Sequence, residues 1–221
     1  MVWLLALLVS YAFVGLQATP SEDLVDEMIY ELNQDLLNKH QDMVEIPAID
    51  EKLEKKILGH KVNVVEFKGE GGWFRNASTI RRTGSLAMDQ GNTSLTLGVS
   101  LGLQDVEFGF EYYHIKFLNI GYHGRLEASI GQNSIYAHMT MSFPESGPCK
   151  TTVDQLEVQA LDKIHLKLTG RSKIPDKLFS LVAQHLANGY HRKIAHVVSE
   201  KLTDAAKQVL AKHEICDQFL L

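Results

Sequence analysis

Ser94-Leu95-Thr96-Leu97-Gly98-Val99-Ser100-Leu101-Gly102-Leu103 alternates without a fault: leucine or valine at every odd position, Ser, Thr or Gly at every even one. A period of two marks a strand with one face in an apolar interior and the other in water. Phe108, Phe110 and Tyr112 carry the pattern on after a break at Gln104-Asp105. Ile135, Ala137, Met139, Met141 and Phe143 repeat it, as do Leu156, Val158 and Ala160, then Leu166 and Leu168. Upstream, Val62, Val64 and Phe67 open the strand region. Gly91, Gly121, Gly131 and the stretch from Pro144 to Pro148 supply turns, so the middle of the chain is predicted to be an antiparallel meander of long strands.

Helical periodicity flanks this sheet on both sides. Ser21 suits an N-cap, Glu22 and Asp23 suit the positive end of a helix, and Leu24, Val25, Met28, Ile29, Leu32, Leu36 and Leu37 recur at spacings of three and four. This amphipathic helix is expected to fade near Ile46-Pro47, with a short helix or loop over Asp50 to Lys56. After Gly170 a second stripe runs through Leu178, Leu181, Val182, Leu186, Tyr190, Ile194, Val197, Val198, Ala205 and Val209. It predicts a helix from about Pro175 to about His213, bent at Gly189. A sheet with one apolar face must cover it. The expected fold is therefore α+β, a long antiparallel sheet curled around a long C-terminal helix, with an N-terminal amphipathic helix. Small residues such as Gly98, Gly102, Ala137 and Ala187 leave room for an apolar tunnel, though they serve a dry core equally well.

The N-terminus speaks for export. Val2 to Leu16 is an apolar run, and Gln17-Ala18 offers a small residue for cleavage, which reads as a signal peptide over residues 1–18. The run is shorter than the ~20 residues a membrane span needs. Residues 19–221 then form one domain. Cys149 and Cys216 are the two cysteines, an even count that in an exported chain favours one disulfide over two inert thiols or a metal pair. Asn76-Ala77-Ser78 and Asn92-Thr93-Ser94 match the glycosylation acceptor pattern. With 45% hydrophobic and 22% charged residues the chain is globular, and a net charge of −5 argues against a nucleic-acid binder. The charge is uneven: Ser21 to Lys56 holds eleven acidic and four basic residues, and Arg171 to Glu214 eight basic and four acidic.

Several stretches together resemble the group 7 mite allergens, within the tubular lipid-binding superfamily. Gly69-Glu70-Gly71 to Arg75-Asn76, with Ile80 to Arg82 and Gly84, is similar to a strand pair of that family. Leu95 to Gly109 with Glu111-Tyr112 is similar to its next hairpin. Ile174-Pro175 to Leu186, ending near Leu210-Ala211-Lys212, resembles its final helix. The likeness spans Lys61 to Lys212. It implies that lipids or terpenoids are enclosed between sheet and helix, as in bactericidal/permeability-increasing protein and the insect juvenile-hormone carriers. A Cys149–Cys216 bridge would be similar in kind to the disulfide of the former. The N-terminal cysteine pair of the hormone carriers is missing, which counts against a hormone-carrier role.

Catalytic and metal patterns are absent from the sequence. His185, His191 and His196 fall on different faces of the last helix, and His114 and His138 stand alone in strands. There is no H-E-x-x-H, Cys-x-x-Cys or G-x-S-x-G, and Gly69-Glu70-Gly71-Gly72 lacks the Lys-Ser/Thr of a phosphate loop. Neither an enzyme nor a cofactor is expected. Three readings stay open. In the first, a secreted carrier or sensor holds a lipid or other apolar small molecule against Leu95, Leu97, Val99, Leu101, Leu103, Phe108, Phe110, Tyr112, Met139, Met141, Phe143 and Leu186. In the second, Arg81-Arg82 and Arg192-Lys193 meet an anionic lipid or microbial glycolipid surface. In the third, the core is dry and the protein is a structural or interaction module.

Overall fold

The computed structural model describes residues 20–57, 60–117, 120–170 and 174–211. The expected leader over residues 1–18, Cys216 and the end of the last helix beyond Ala211 lie outside them. In chain order the elements are α1 (Pro20–Asn38), β1 (Val44–Ile46), β2 (Ile49–Ile57), β3 (His60–Arg75), β4 (Arg81–Arg82), β5 (Ala87–Gln90), β6 (Ser94–Gly102), β7 (Glu107–Phe117), β8 (Ile120–Ser142) and β9 (Lys150–Gly170). They end with α2 (Asp176–His185), a π-helical turn (Leu186–Tyr190) and α3 (His191–Leu210).

All nine strands join one antiparallel sheet, whose pairing follows the predicted meander. β6 and β7 lie end to end along β8, with Ser94 opposite Ser142 and Phe117 opposite Ile120. β3, β4 and β5 lie end to end along the outer side of β7 and β6. β1 and β2 lie end to end on β3, and β9 pairs with β8 along most of its length. The nine segments thus form five long tracks, each beside its neighbour in sequence.

Two expectations need correction at the N-terminal side. α1 starts on Pro20, a residue pre-set for the first helical position. It ends at Asn38, well before Ile46-Pro47. His40 takes φ 56°, Gln41 N–H donates to the Leu36 carbonyl at 2.8 Å and His40 N–H to that of Leu37 at 3.1 Å. That is a Schellman stop, which closes the helix with a left-handed residue. Asp50 to Lys56, expected as helix or loop, is strand β2. It is an edge strand, and alternating charge on an edge deters pairing with other chains.

Within the described residues the C-terminal helix runs for about 50 Å, and Gly189, where a bend was expected, lies in the π-helical turn. Ile194, Val198 and Leu202 are wholly buried, as are Val182 and Leu186, each burial stabilising by roughly 1.5–3 kcal/mol. They meet the concave face of the sheet through Phe67, Phe74, Phe108, Phe110, Tyr113, Ile115 and Leu126, among others.

The sheet's curl is visible in what fastens its two edges to the helix. On the β1–β2 edge, the Tyr190 hydroxyl donates to the Pro47 carbonyl. Lys193 Nζ donates to Glu51 at 2.8 Å, and His185 Nε2 lies 2.5 Å from the same carboxylate. On the β9 edge, Val158 N–H donates to Ser199 Oγ at 2.8 Å and Thr203 Oγ1 to the Leu156 carbonyl at 3.2 Å. One helix therefore satisfies backbone groups on both outer tracks, which a flat sheet could not offer it.

Bulges supply the bend. Glu111 and Tyr112 together oppose Arg125, and register shifts along β9 leave Asp154 and Gln159 as extra residues. Each extra residue reverses the inward parity. Leu161 is buried and Ala160 only half-buried, contrary to the simple alternation.

Candidate functional site: an apolar crevice under the first helix

At the end of the sheet where β6 meets the second half of β8, the C-terminal helix does not fill the concave face alone. α1 lies there beside the last turns of α3, and an apolar crevice of about 70 Å³ remains between them. α1 lines it with Val25, Met28, Ile29 and Leu32, and α3 with Ala206, Val209 and Leu210. The sheet contributes Leu97, Val99 and Leu101 from β6, Ala137, His138 and Met139 from β8, and Val153 and Leu156 from β9. His138 is the one titratable residue among these, and its Nδ1 lies 3.0 Å from Asp154, with Thr140 donating to the same carboxylate at 2.6 Å. The walls are otherwise hydrocarbon and thioether.

The residues expected to line a tunnel divide into groups. Leu97, Val99, Leu101 and Met139 line the crevice. Met141 is buried against Leu97 just beyond the lining, with Leu95, Phe143 and Cys149 packed against the pair. Leu103, Phe108, Phe110 and Leu186 lie in the continuous core and are not among the residues that line this crevice. Tyr112 is a correction: it is 46% exposed and stacks on His123 outside the sheet, while Tyr113 is buried in its place. The bulge at Glu111-Tyr112 causes the reversal. Ala187, offered as a small residue that leaves room, has no described side chain. Missing from the sequence-based set were the whole α1 wall and the α3 residues. Their apolar stripes were legible, but nothing local says which part of a helix faces a gap.

Polar contacts to β4, to the segment before it and to α3 hold α1 over the crevice. Arg82 Nε and Nη2 donate to the two oxygens of Asp26, both at 2.9 Å, and Nη1 lies 3.1 Å from Glu22. Asn33 brackets Ile80, donating to its carbonyl at 2.8 Å and accepting from its N–H at 3.1 Å. Lys39 Nζ reaches Gln208 on α3 at 2.6 Å. The hydrogen bonds from Arg82 hold the Asp26 carboxyl below the usual range, partly opposed by burial, and Arg82 itself stays charged. On the opposite edge Glu51 is also lowered, chiefly by Lys193 and further by His185, with burial opposing.

These pairs bear on the surface-binding reading. Arg82 and Lys193 are engaged with carboxylates of this chain, while Arg81 and Arg192 are exposed. The two glycosylation candidates also differ. The Asn76 side chain donates to the Asp105 carbonyl, with Ala77 and Ser78 buried behind it, whereas Asn92 sits in an exposed turn between β5 and β6. Among the described residues no cluster of three or more His, Cys, Asp or Glu could hold a metal ion, and no helix is long and apolar enough to cross a membrane.

A model of the group 7 allergen family matches residues 21–210. No curated protein matches the sequence. Among solved structures, that of lipopolysaccharide binding protein superposes with a TM-score of 0.51 and 15% identity over 86% of this chain, which spans 37% of that protein. Takeout 1 of Epiphyas postvittana superposes with a TM-score of 0.51 and 13% identity, over 87% of this chain and 93% of its own length. At such identities the likeness concerns the fold alone, a long antiparallel sheet curled against a C-terminal helix.

Proposed function

The chain belongs to the group 7 allergen family, and from that premise we propose that it is a secreted, non-catalytic carrier or sensor of an apolar small molecule, held between α1, α3 and the far half of the sheet. The observation that carries the reading is the crevice itself: a space of about 70 Å³ with largely apolar walls, roofed by the separate helix α1. Apolar cavities are costly to keep, because their lining forgoes packing. Here one wall is a helix separate from the sheet and from α3.

The crevice is far smaller than the ~300–1,000 Å³ of ordinary ligand pockets. Occupancy therefore requires α1 to move outward and exchange its own packing for contact with the ligand. At about 0.8 kcal/mol per methylene buried, ten methylenes contribute roughly 8 kcal/mol, enough to offset the loss of the Arg82 and Asn33 contacts. Lipopolysaccharide binding protein, a fold neighbour, is named for binding lipopolysaccharide, which is compatible with this use of the architecture. The leader at residues 1–18, cleavage after Ala18, a Cys149–Cys216 bridge and a glycan on Asn92 belong to the same proposal of an exported protein. The surface-binding alternative has less support, since Arg82 and Lys193 are already paired within the chain.

Native mass spectrometry of protein purified from a secreting host tests the reading. A stoichiometric lipid, lost on organic extraction and restored on adding it back, is the expected result. An apo mass that stays unchanged after incubation with fatty acids, phospholipids and terpenoids would overturn it.

A further inference from the structure

Two methionines stand in the walls of the crevice, Met28 on α1 and Met139 on β8. Both are half-buried, and both pack against the Leu97–Met141 pair, so each wall brings one thioether to the same end of the space. The other methionines among the described residues lie differently. Met141 is wholly buried, while Met43 and Met88 are 57% and 54% exposed and take no part in the lining.

Thioethers differ chemically from the rest of these walls, which are aliphatic apart from His138. A peroxide transfers one oxygen atom to such a sulfur. The O–O bond breaks, an S–O bond forms, the sulfur gives up two electrons and hydrogen peroxide is reduced to water. The product is a polar, chiral sulfoxide in place of a flexible apolar group. In this crevice its oxygen has little to bind. Among the lining side chains only His138 carries a polar group, and its Nδ1 already lies 3.0 Å from Asp154. An apolar ligand seated over a sulfoxide would strip away its water and return no hydrogen bond.

We propose that Met28 and Met139 form a modification site: oxidation of these thioethers by a peroxide closes the crevice to apolar ligands and releases one already bound. The inference rests on the carrier reading and adds an oxidant-sensitive control to it. The step is reversible, since methionine sulfoxide reductases restore the thioether.

Graded hydrogen peroxide, with peptide mapping by mass spectrometry and a fluorescence titration with aminoanthracene at each dose, tests the proposal. Met43 and Met88 should oxidise first, Met28 and Met139 next and Met141 last. Probe affinity should fall by about ten-fold in step with the Met28 and Met139 sulfoxides, and return after reductase treatment. The Met28→Leu/Met139→Leu double variant keeps Met43 and Met88. Whatever its starting affinity, peroxide should leave that affinity unchanged. Amide exchange in β3 and β7 should hold steady at the same doses, and a general loss of protection there would assign the effect to unfolding and overturn the proposal. Unchanged probe affinity in protein oxidised at Met28 and Met139 would overturn it and leave the carrier reading standing. Sulfoxide confined to Met43 and Met88, or an equal loss of affinity in the double variant, would do the same. If the untreated protein binds no probe, the carrier reading itself fails, and the proposed control falls with it.

Discussion

Replacing Arg82 by alanine should loosen α1 and little else. Arg82 is the one residue that holds Asp26 through two hydrogen bonds of 2.9 Å and also meets Glu22 at 3.1 Å. Charge-assisted hydrogen bonds in sheltered positions are each worth about 1.5–3 kcal/mol, and exposed ion pairs about 0.2–1 kcal/mol. The Arg82 and Glu22 side chains are 19% and 20% exposed, but Asp26 is 47% exposed, which moves the sum toward the lower figures. A cost of about 1–2 kcal/mol is expected, a factor of about 5–30 in the opening equilibrium of the helix. Val25, Leu32 and Leu36 remain buried beneath it, so α1 stays docked on average.

Amide hydrogen exchange reads this directly. Protection over Val25 to Leu36 should fall by about ten-fold in Arg82→Ala, while β8 and the middle of α3 keep wild-type protection. Association with an apolar fluorophore should quicken by a similar factor if opening limits entry. Unchanged protection in α1 would mean that Arg82 does not fasten it. An equal loss across the sheet would mean that α1 is no separate unit, and the proposed route into the crevice would be refuted in either case.

Acid should act on the same contact. Asp26 has a lower pKa folded than unfolded because Arg82 hydrogen-bonds its ionised form. Its stabilisation is complete above the ordinary carboxylate value of about 3.9 and is lost as the pH falls through the lower folded value. Exchange of α1 should therefore show little Asp26-dependent change between pH 7 and 5 and accelerate below about 4. An acid response of the same size in Asp26→Asn would exclude Asp26 as its source. Ala206→Phe, which places a ring in the crevice, should abolish ligand uptake, with overpacking limiting the stability loss to about 1–3 kcal/mol. Retained uptake would locate the ligand elsewhere. Phe110→Ala, wholly buried and 5.8 Å from the Tyr190 ring, should cost about 3–5 kcal/mol by denaturant titration while leaving the crevice lining in place. A cost below about 1 kcal/mol would contradict the close packing described for that region. Cys149 should resist alkylation until the protein is reduced, and then two labels should appear in the intact mass. Labelling without reductant would exclude the Cys149–Cys216 bridge, which closes a loop worth about 4 kcal/mol in the chain-entropy model.

The order helix, meander and long helix follows from patterning alone, because backbone geometry ties a period of two to strands and 3.6 to helices. Ser94 to Leu103 alternates inward and outward in the structure much as its letters do, with Leu97, Val99, Leu101 and Leu103 buried. The family, too, was legible in residues from Lys61 to Lys212, and its model matches residues 21–210. Local patterning failed where tertiary pairing overrode it. Asp50 to Lys56 has no strand periodicity of its own and is a strand because β3 offers it an edge. Tyr112 and Ala160 were misplaced because each bulge adds a residue without any mark in the composition.

The site divides in the same way. The sequence by itself determined that an apolar sheet face must lie against an amphipathic helix, since hydrophobic burial demands a partner for it. Which inward residues border a gap was decided by the tertiary structure alone. Phe110 and Val99 have the same inward periodicity and belong to one buried core, yet it is Val99 that also borders the crevice. The difference lies in the distance between sheet and helix at each level, set by how the sheet curls and where α1 comes to rest. That distance is a property of the whole assembly, and no single stretch of chain carries it.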